Sequence, residues 1–397
     1  MKKIAVKYIA YFVLFCLLQN YTMCFAQMIN PNQGNTSQTD YCIRLPYENK
    51  NGALIVTVEI KGKSHRFIFD TGAITMINQT LFNEINPSIL GKMKILDQSG
   101  KADSLKVVLL NDIVLDDINF MNIPTIVIDS SHFIDCLVID GVIGSNLLRN
   151  SVVQFSTKDS TIFIASDIVK LNVKEKPIGT LKLDKQSNPY LWLKLGKVKT
   201  EFLFDSGDAG FIRLSYNHFD ALKKRKSFRV IASSFGANTM GLFGVAEEMP
   251  VHRLYVPNLT LGKAKMLNVT MEAMNGTPSI GAELLQYGRL TLDYKQKKIY
   301  FNPYSSVIDI SKPLWSVSPT IKNGKLVIGI IWDNSIEGLS IGDEILAING
   351  SSLAGLTFCE IYSRPRLPQN IDKATLTIKK NDGSVHEVII RAKAITQ

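Results

Sequence analysis

Two stretches of this chain are near copies of each other. Phe67-Ile68-Phe69-Asp70-Thr71-Gly72-Ala73 recurs as Phe202-Leu203-Phe204-Asp205-Ser206-Gly207-Asp208. Each is an apolar run with strand character that ends in an acid, a small hydroxyl residue and a glycine. One such triplet is common. Two in matching contexts constrain the chain to a duplicated, β-rich architecture in which the copies bring their acids together.

The duplication extends beyond the triplets. Leu54 to Ile60 turns at Lys61-Gly62-Lys63 into Arg66-Phe67-Ile68-Phe69, and Tyr190 to Leu195 turns at Gly196-Lys197 into Glu201-Phe202-Leu203-Phe204. Both read as hairpins. Further on, Asp140-Gly141-Val142-Ile143-Gly144 is echoed by Ser279-Ile280-Gly281, each following its acid by nearly the same number of positions. A short helix signal and a pair of strands follow each time. Four features recurring in one order define two homologous lobes, expected over 41–168 and 175–304.

The triplets have a chemical reading. A glycine after the acid lets backbone N–H groups approach the carboxylate, and those donors favour its ionised form. The hydroxyls of Thr71 and Ser206 can bond across to the opposite turn and lock the halves. Two carboxylates held about 3 Å apart cannot both ionise easily, so they share one proton. Such a pair can activate a water and polarise a carbonyl, which is amide hydrolysis without metal, cofactor or covalent intermediate. Gly144 and Gly281 would let their strands pass close beside the acid-bearing loops.

This pattern resembles the retropepsin/pepsin-like aspartic proteases in a single-chain, two-lobed form. Asp70-Thr71-Gly72-Ala73 and Asp205-Ser206-Gly207 match the family's paired motifs, and Ile143-Gly144 and Ile280-Gly281 match its downstream apolar-glycine element. The resemblance implies Asp70 and Asp205 as the catalytic acids, Thr71, Gly72, Ser206 and Gly207 as their support, and Gly144 and Gly281 as cleft elements. Asp208 departs from the family, which has a small residue there. It could raise the pair's pKa, point to solvent, or mark a lobe that no longer works. No tyrosine lies between Thr71 and Gly144, so the flap leans to the retropepsin type. It is expected over Ile95 to Val108 with a turn at Gln98-Ser99-Gly100-Lys101. The matching loop of the second lobe is expected over Ser233 to Gly244. A serine-protease reading of Ser206 fails, because no histidine stands in a triad context.

Past Pro303 the character changes. Gly338-Leu339-Ser340-Ile341-Gly342-Asp343-Glu344-Ile345-Leu346-Ala347-Ile348-Asn349-Gly350 resembles the signature of PDZ domains. That implies a small β/α unit over 313–394 that takes a peptide end or strand on a sheet edge, or that only packs against the lobes.

The N-terminus pairs Lys2-Lys3 with an apolar run from Tyr8 to Leu18 and a small residue at Ala26. Residues 1–26 read as a signal peptide and 27–40 as a flexible leader. A periplasmic or secreted location follows, with an uncleaved membrane anchor as the alternative. No later run is long enough for a stable span. Cys42, Cys136 and Cys359 remain after cleavage. Cys42 could pair with Cys136, or all three could be buried thiols. The net charge is +10, and Lys223-Lys224-Arg225-Lys226 is its densest run. That run reads as a solvated helix face, so no nucleic-acid partner is expected. The expected whole is a mainly β, bilobal acid-protease fold with a PDZ-like appendage, monomeric because one chain carries both halves. Its function is expected to be peptide-bond cleavage of a peptide or protein substrate by an extracytoplasmic aspartic endopeptidase. A non-catalytic peptide-binding adaptor is the alternative.

Overall fold

The computed structural model describes residues 29–129 and 132–395. The expected signal segment lies outside the described residues. From Pro31 onward the chain forms one compact unit, mainly β, with curled sheets of the acid-protease kind. Among the described residues no helix is long and apolar enough to cross a membrane.

The duplicated hairpins form as their turn chemistry requires. Ala53–Ile60 pairs antiparallel with Lys63–Phe69. Lys61 and Gly62 between them both have positive φ, 51° and 75°, the geometry of a two-residue turn that matches strand twist. Pro189–Leu195 and Val198–Asp205 repeat the arrangement around Gly196. In the first half, Gly141–Ile143 inserts between Lys63–Phe69 and Met76–Asn78, parallel to one and antiparallel to the other. In the second half, Ser279–Gly281 inserts in the same way between Val198–Asp205 and Ile212–Ser215. The two acids therefore leave their strands at equivalent places in equivalent sheets.

A six-stranded sheet joins the halves. Val152–Ser156 of the first pairs antiparallel with Gly288–Asp293 of the second. From it Phe155 packs edge-on against both Phe69 and Phe204, at centroid distances of 5.7 and 5.6 Å. Phe155 thus buttresses the last aromatic of each acid-bearing strand. Burying such a ring contributes roughly 1.5–3 kcal/mol, and here it also sets the spacing of the strands.

Residues 31–40 are not a loose leader. Asn35–Thr36 pairs with Phe120 and Met121, Asn146 donates to the Pro31 carbonyl at 3.3 Å, and Arg149 donates to the Gly34 carbonyl. Low hydrophobicity suggested freedom, but backbone pairing needs no apolar side chains.

The C-terminal strands Val317–Lys322, Lys325–Ile331, Glu344–Ile348, Lys373–Lys379 and Val385–Lys393, with the helix Phe358–Tyr362, enclose an apolar cluster of their own around Ile328, Leu376, Ile378 and Ile390. The Gly342-Asp343 step of the sequence signature has a structural cause. Buried Asp343 accepts from the Ser340 N–H at 2.7 Å and from Lys380 Nζ at 2.9 Å, closing the turn into Glu344–Ile348. This sheet continues into the second half, where Gly236 pairs with Ile330.

The cysteine expectation is overturned. Cys136 bonds to Cys359, and Cys42 is exposed and outside any disulfide. The partners are 223 positions apart. They meet because the helix His132–Leu137 packs on the helix Phe358–Tyr362, an encounter no spacing rule reveals.

Candidate active site

Asp70 and Asp205 meet at the floor of a cleft of about 1030 Å³ between the two halves. Their loops are locked reciprocally. Thr71 Oγ1 donates to the Phe204 carbonyl at 2.7 Å and accepts from the Ser206 N–H at 3.1 Å. Ser206 Oγ donates to the Phe69 carbonyl at 2.8 Å and accepts from the Thr71 N–H at 3.0 Å. Both hydroxyl residues are fully buried. This arrangement leaves Ser206 no role as a nucleophile.

The lock places each acid against the other loop's glycine. A Cβ on Gly72 would lie 2.5 Å from Asp205 Cγ, and one on Gly207 would lie 2.4 Å from Asp70 Oδ2. Only glycine permits this approach. Asp70 Oδ1 accepts from the Gly72 N–H at 2.7 Å. Asp205 Oδ1 accepts from the N–H groups of Gly207 and Asp208 at 3.0 and 3.2 Å. The two carboxyl groups are close enough to interact directly. Gly144 and Gly281 lie where the duplicated pattern put them. A Cβ on Gly144 would fall 2.3 Å from the Thr75 nitrogen, and one on Gly281 would fall 2.4 Å from the Asp208 carbonyl oxygen.

Burial raises both carboxyls above the usual carboxylate range. At Asp205 the neighbouring Asp70 and Asp208 charges add to desolvation. The two acids share one proton and titrate as a unit. Asp208 does not point freely to solvent. Its carboxylate accepts from the Gly210 N–H at 2.9 Å, from Arg213 at 3.1 Å and from Ser279 Oγ at 3.3 Å. Arg213 pairs with this carboxylate, whose charge still adds to the upward push on both acids.

Residues 56–147 match the family model described as aspartyl protease. That match supports a hydrolase of the protease class at a coarse level. Among solved structures, basic 7S globulin from soybean matches at 11% identity and a TM-score of 0.37, covering 67% of this chain and 96% of that one. Conglutin gamma from lupine seeds matches at 10% identity and 0.40, with the same coverages. A retropepsin-like aspartic protease from Rickettsia conorii matches at 13% identity and 0.24, covering 34% and 94%. No curated protein matches.

Sequence reasoning missed several residues here. Ser145 donates to the Thr71 carbonyl at 2.8 Å and meets the Tyr294 hydroxyl at 3.0 Å, bracing the first loop from beneath. Burial pushes the Tyr294 hydroxyl pKa far up, so it stays a neutral partner. Tyr190 lines the cleft and is pushed up to about 12, by burial first and then by nearby acids. The flap hairpin forms from Ser88–Leu96 and Ala102–Leu110. At its turn Gln98 Nε2 donates to Asp205 Oδ2 at 3.3 Å. The sequence marked this turn but gave no sign that its glutamine reaches the acids. Tyr362 and Arg366 of the C-terminal unit complete the cleft wall, which nothing in their local sequence signals.

Proposed function

We propose that this protein is an aspartic endopeptidase that cleaves peptide bonds with a water activated by the Asp70/Asp205 dyad. The observation that carries this reading is the reciprocal Thr71/Ser206 lock, which sets the two carboxyls side by side with a backbone donor on one oxygen of each. The ionised member of the pair takes a proton from a water held between the acids. The protonated member donates to the scissile carbonyl oxygen as water attacks. The tetrahedral gem-diol then collapses, and the proton taken from water passes to the leaving nitrogen. Gly72, Gly207 and the strands at Gly144 and Gly281 hold this geometry.

The raised carboxyl pKa values favour activity nearer neutrality than strong acid. An extracytoplasmic setting is supported by the N-terminal targeting pattern and by the Cys136–Cys359 bond, since such bonds persist in oxidising compartments. The PDZ-like unit would serve peptide recruitment or regulation, and its tight union with the second half favours regulation. The adaptor alternative rested on Asp208, whose carboxylate is engaged by Arg213 and Ser279.

The test is a peptidase assay across pH on a mixed peptide library, with Asp70→Asn as control. Cleavage lost in that variant supports the proposal. Peptide binding without turnover in the unaltered protein refutes it, as does a pH–rate profile peaking near pH 2 for its pH claim.

A further inference from the structure

The flap is tied across the cleft. Asp97 Oδ1 closes the flap turn, accepting from the N–H and hydroxyl of Ser99 at 2.9 and 2.6 Å and from the Lys101 N–H at 3.1 Å. Its other oxygen accepts from the Phe243 N–H of the second half at 2.7 Å. Phe243 sits at the tip of a small hairpin formed by Met240–Gly241 and Gly244–Val245. A Cβ on Gly241 would fall 2.2 Å from Asp97 Oδ2, and one on Gly276 would fall 3.0 Å from Gln98 Oε1. Glycines on both sides thus let the second half close on the flap tip.

The hairpin is in turn held by the C-terminal unit. Arg366 donates to the Asn238 carbonyl at 3.2 Å and to the Pro319 carbonyl at 3.3 Å. Ala246 N–H bonds the Thr239 carbonyl at 2.9 Å across the hairpin neck. Met240 packs against the C-terminal apolar cluster. An unbroken chain of contacts therefore runs from Arg366 through the hairpin and Asp97 to Gln98 on Asp205.

We propose that Arg366 is a positioning residue for the cleft: by gripping the root of the hairpin it holds the flap tip shut, with Gln98 seated on Asp205. In that position Gln98 occupies a polar contact that substrate or its attacking water must take, so the shut flap competes with substrate. The C-terminal unit thereby sets the fraction of molecules open to substrate, and the apparent affinity falls by that fraction. This rests on the peptidase reading above, and the test separates the two.

Full-length protein is compared with Arg366→Met and with Gly241→Ala, which pushes the hairpin off Asp97 without touching the C-terminal core. Amide hydrogen exchange is read at Ser99, Gly100 and Lys101, and KM and kcat are read on a cleaved library peptide. Loosening the latch raises exchange at these amides about tenfold, with protection in Val152–Ser156 unchanged. KM falls about three- to tenfold for Arg366→Met and for Gly241→Ala alike. If Arg366→Met also loses protection in Val152–Ser156, Gly241→Ala decides alone. Unchanged flap exchange, or a KM that holds or rises, overturns the proposal. If flap exchange rises in a protein that cleaves nothing, the latch stands and the peptidase reading fails. If cleavage depends on Asp70 but neither exchange nor KM moves, the reading stands and the latch fails.

Discussion

At the scale of single residues, the site depends on groups whose chemistry is ordinary and whose placement is not. Thr71 and Ser206 each satisfy one donor and one acceptor of the opposite loop, all buried. Thr71→Ala would leave the Ser206 N–H and the Phe204 carbonyl unpaired, at about 1–3 kcal/mol for each buried group. Urea unfolding should show that loss, and Thr71→Ser should recover most of it. The dyad carries a second prediction. Burial holds both acids above the ordinary carboxylate range in the folded state, so the folded protein binds more protons than the unfolded chain from that range up to the raised values. Their contribution to stability is therefore full at low pH and is lost as pH rises through that window. Asp205→Asn removes the buried ionisation. It should abolish peptidase activity yet raise the melting temperature at pH 8 relative to pH 5, compared with the unaltered protein. A variant that melts lower at pH 8 would contradict the assignment.

At the scale of elements, the decisive device is the inserted strand. Gly141–Ile143 and Ser279–Gly281 each thread between the acid-bearing strand and the strand that follows its loop. The glycine ending each insertion presses on the loop backbone, so it must lack a side chain. Gly144→Ala would set a methyl 2.3 Å from backbone atoms of Ile74 and Thr75. Overpacking of this kind costs about 1–3 kcal/mol, and the forced shift of the Asp70 loop should reduce kcat more than KM in the peptidase assay. The repeats and turns of these elements were legible because period-two apolar runs and Lys-Gly or Gly-Lys turns are local signals. The partners of Gln98, Asp208 and Arg366 were not. Gln98 and Arg366 make their contacts with segments remote in sequence, and Asp208 meets Arg213 only once the loop between them has folded back.

At the scale of the whole molecule, the C-terminal unit is built into the two-lobed body by a shared sheet, the Arg366 grip and the Cys136–Cys359 bond. That bond closes a loop of 223 positions and restrains the unfolded chain accordingly. Disulfides typically contribute about 2–4 kcal/mol. Reduction, or Cys359→Ser, should lower the melting temperature, and limited proteolysis should then release fragments cut between the lobes and the C-terminal unit. An unchanged melting temperature under reducing conditions would show that packing alone holds the unit.

The amino-acid order by itself determined the duplication, the strand-and-turn grammar, the two acids with their hydroxyl and glycine neighbours, and the glycine-bearing insertions. Those are patterns carried by residues adjacent in the chain, where periodicity and backbone freedom act directly. Tertiary structure alone decided which cysteines bond, that Asn35–Thr36 joins the sheet, and that a flap glutamine reaches one acid beside a distant arginine. Each of these is a meeting of segments far apart along the chain, settled by how whole sheets and helices pack rather than by any local preference.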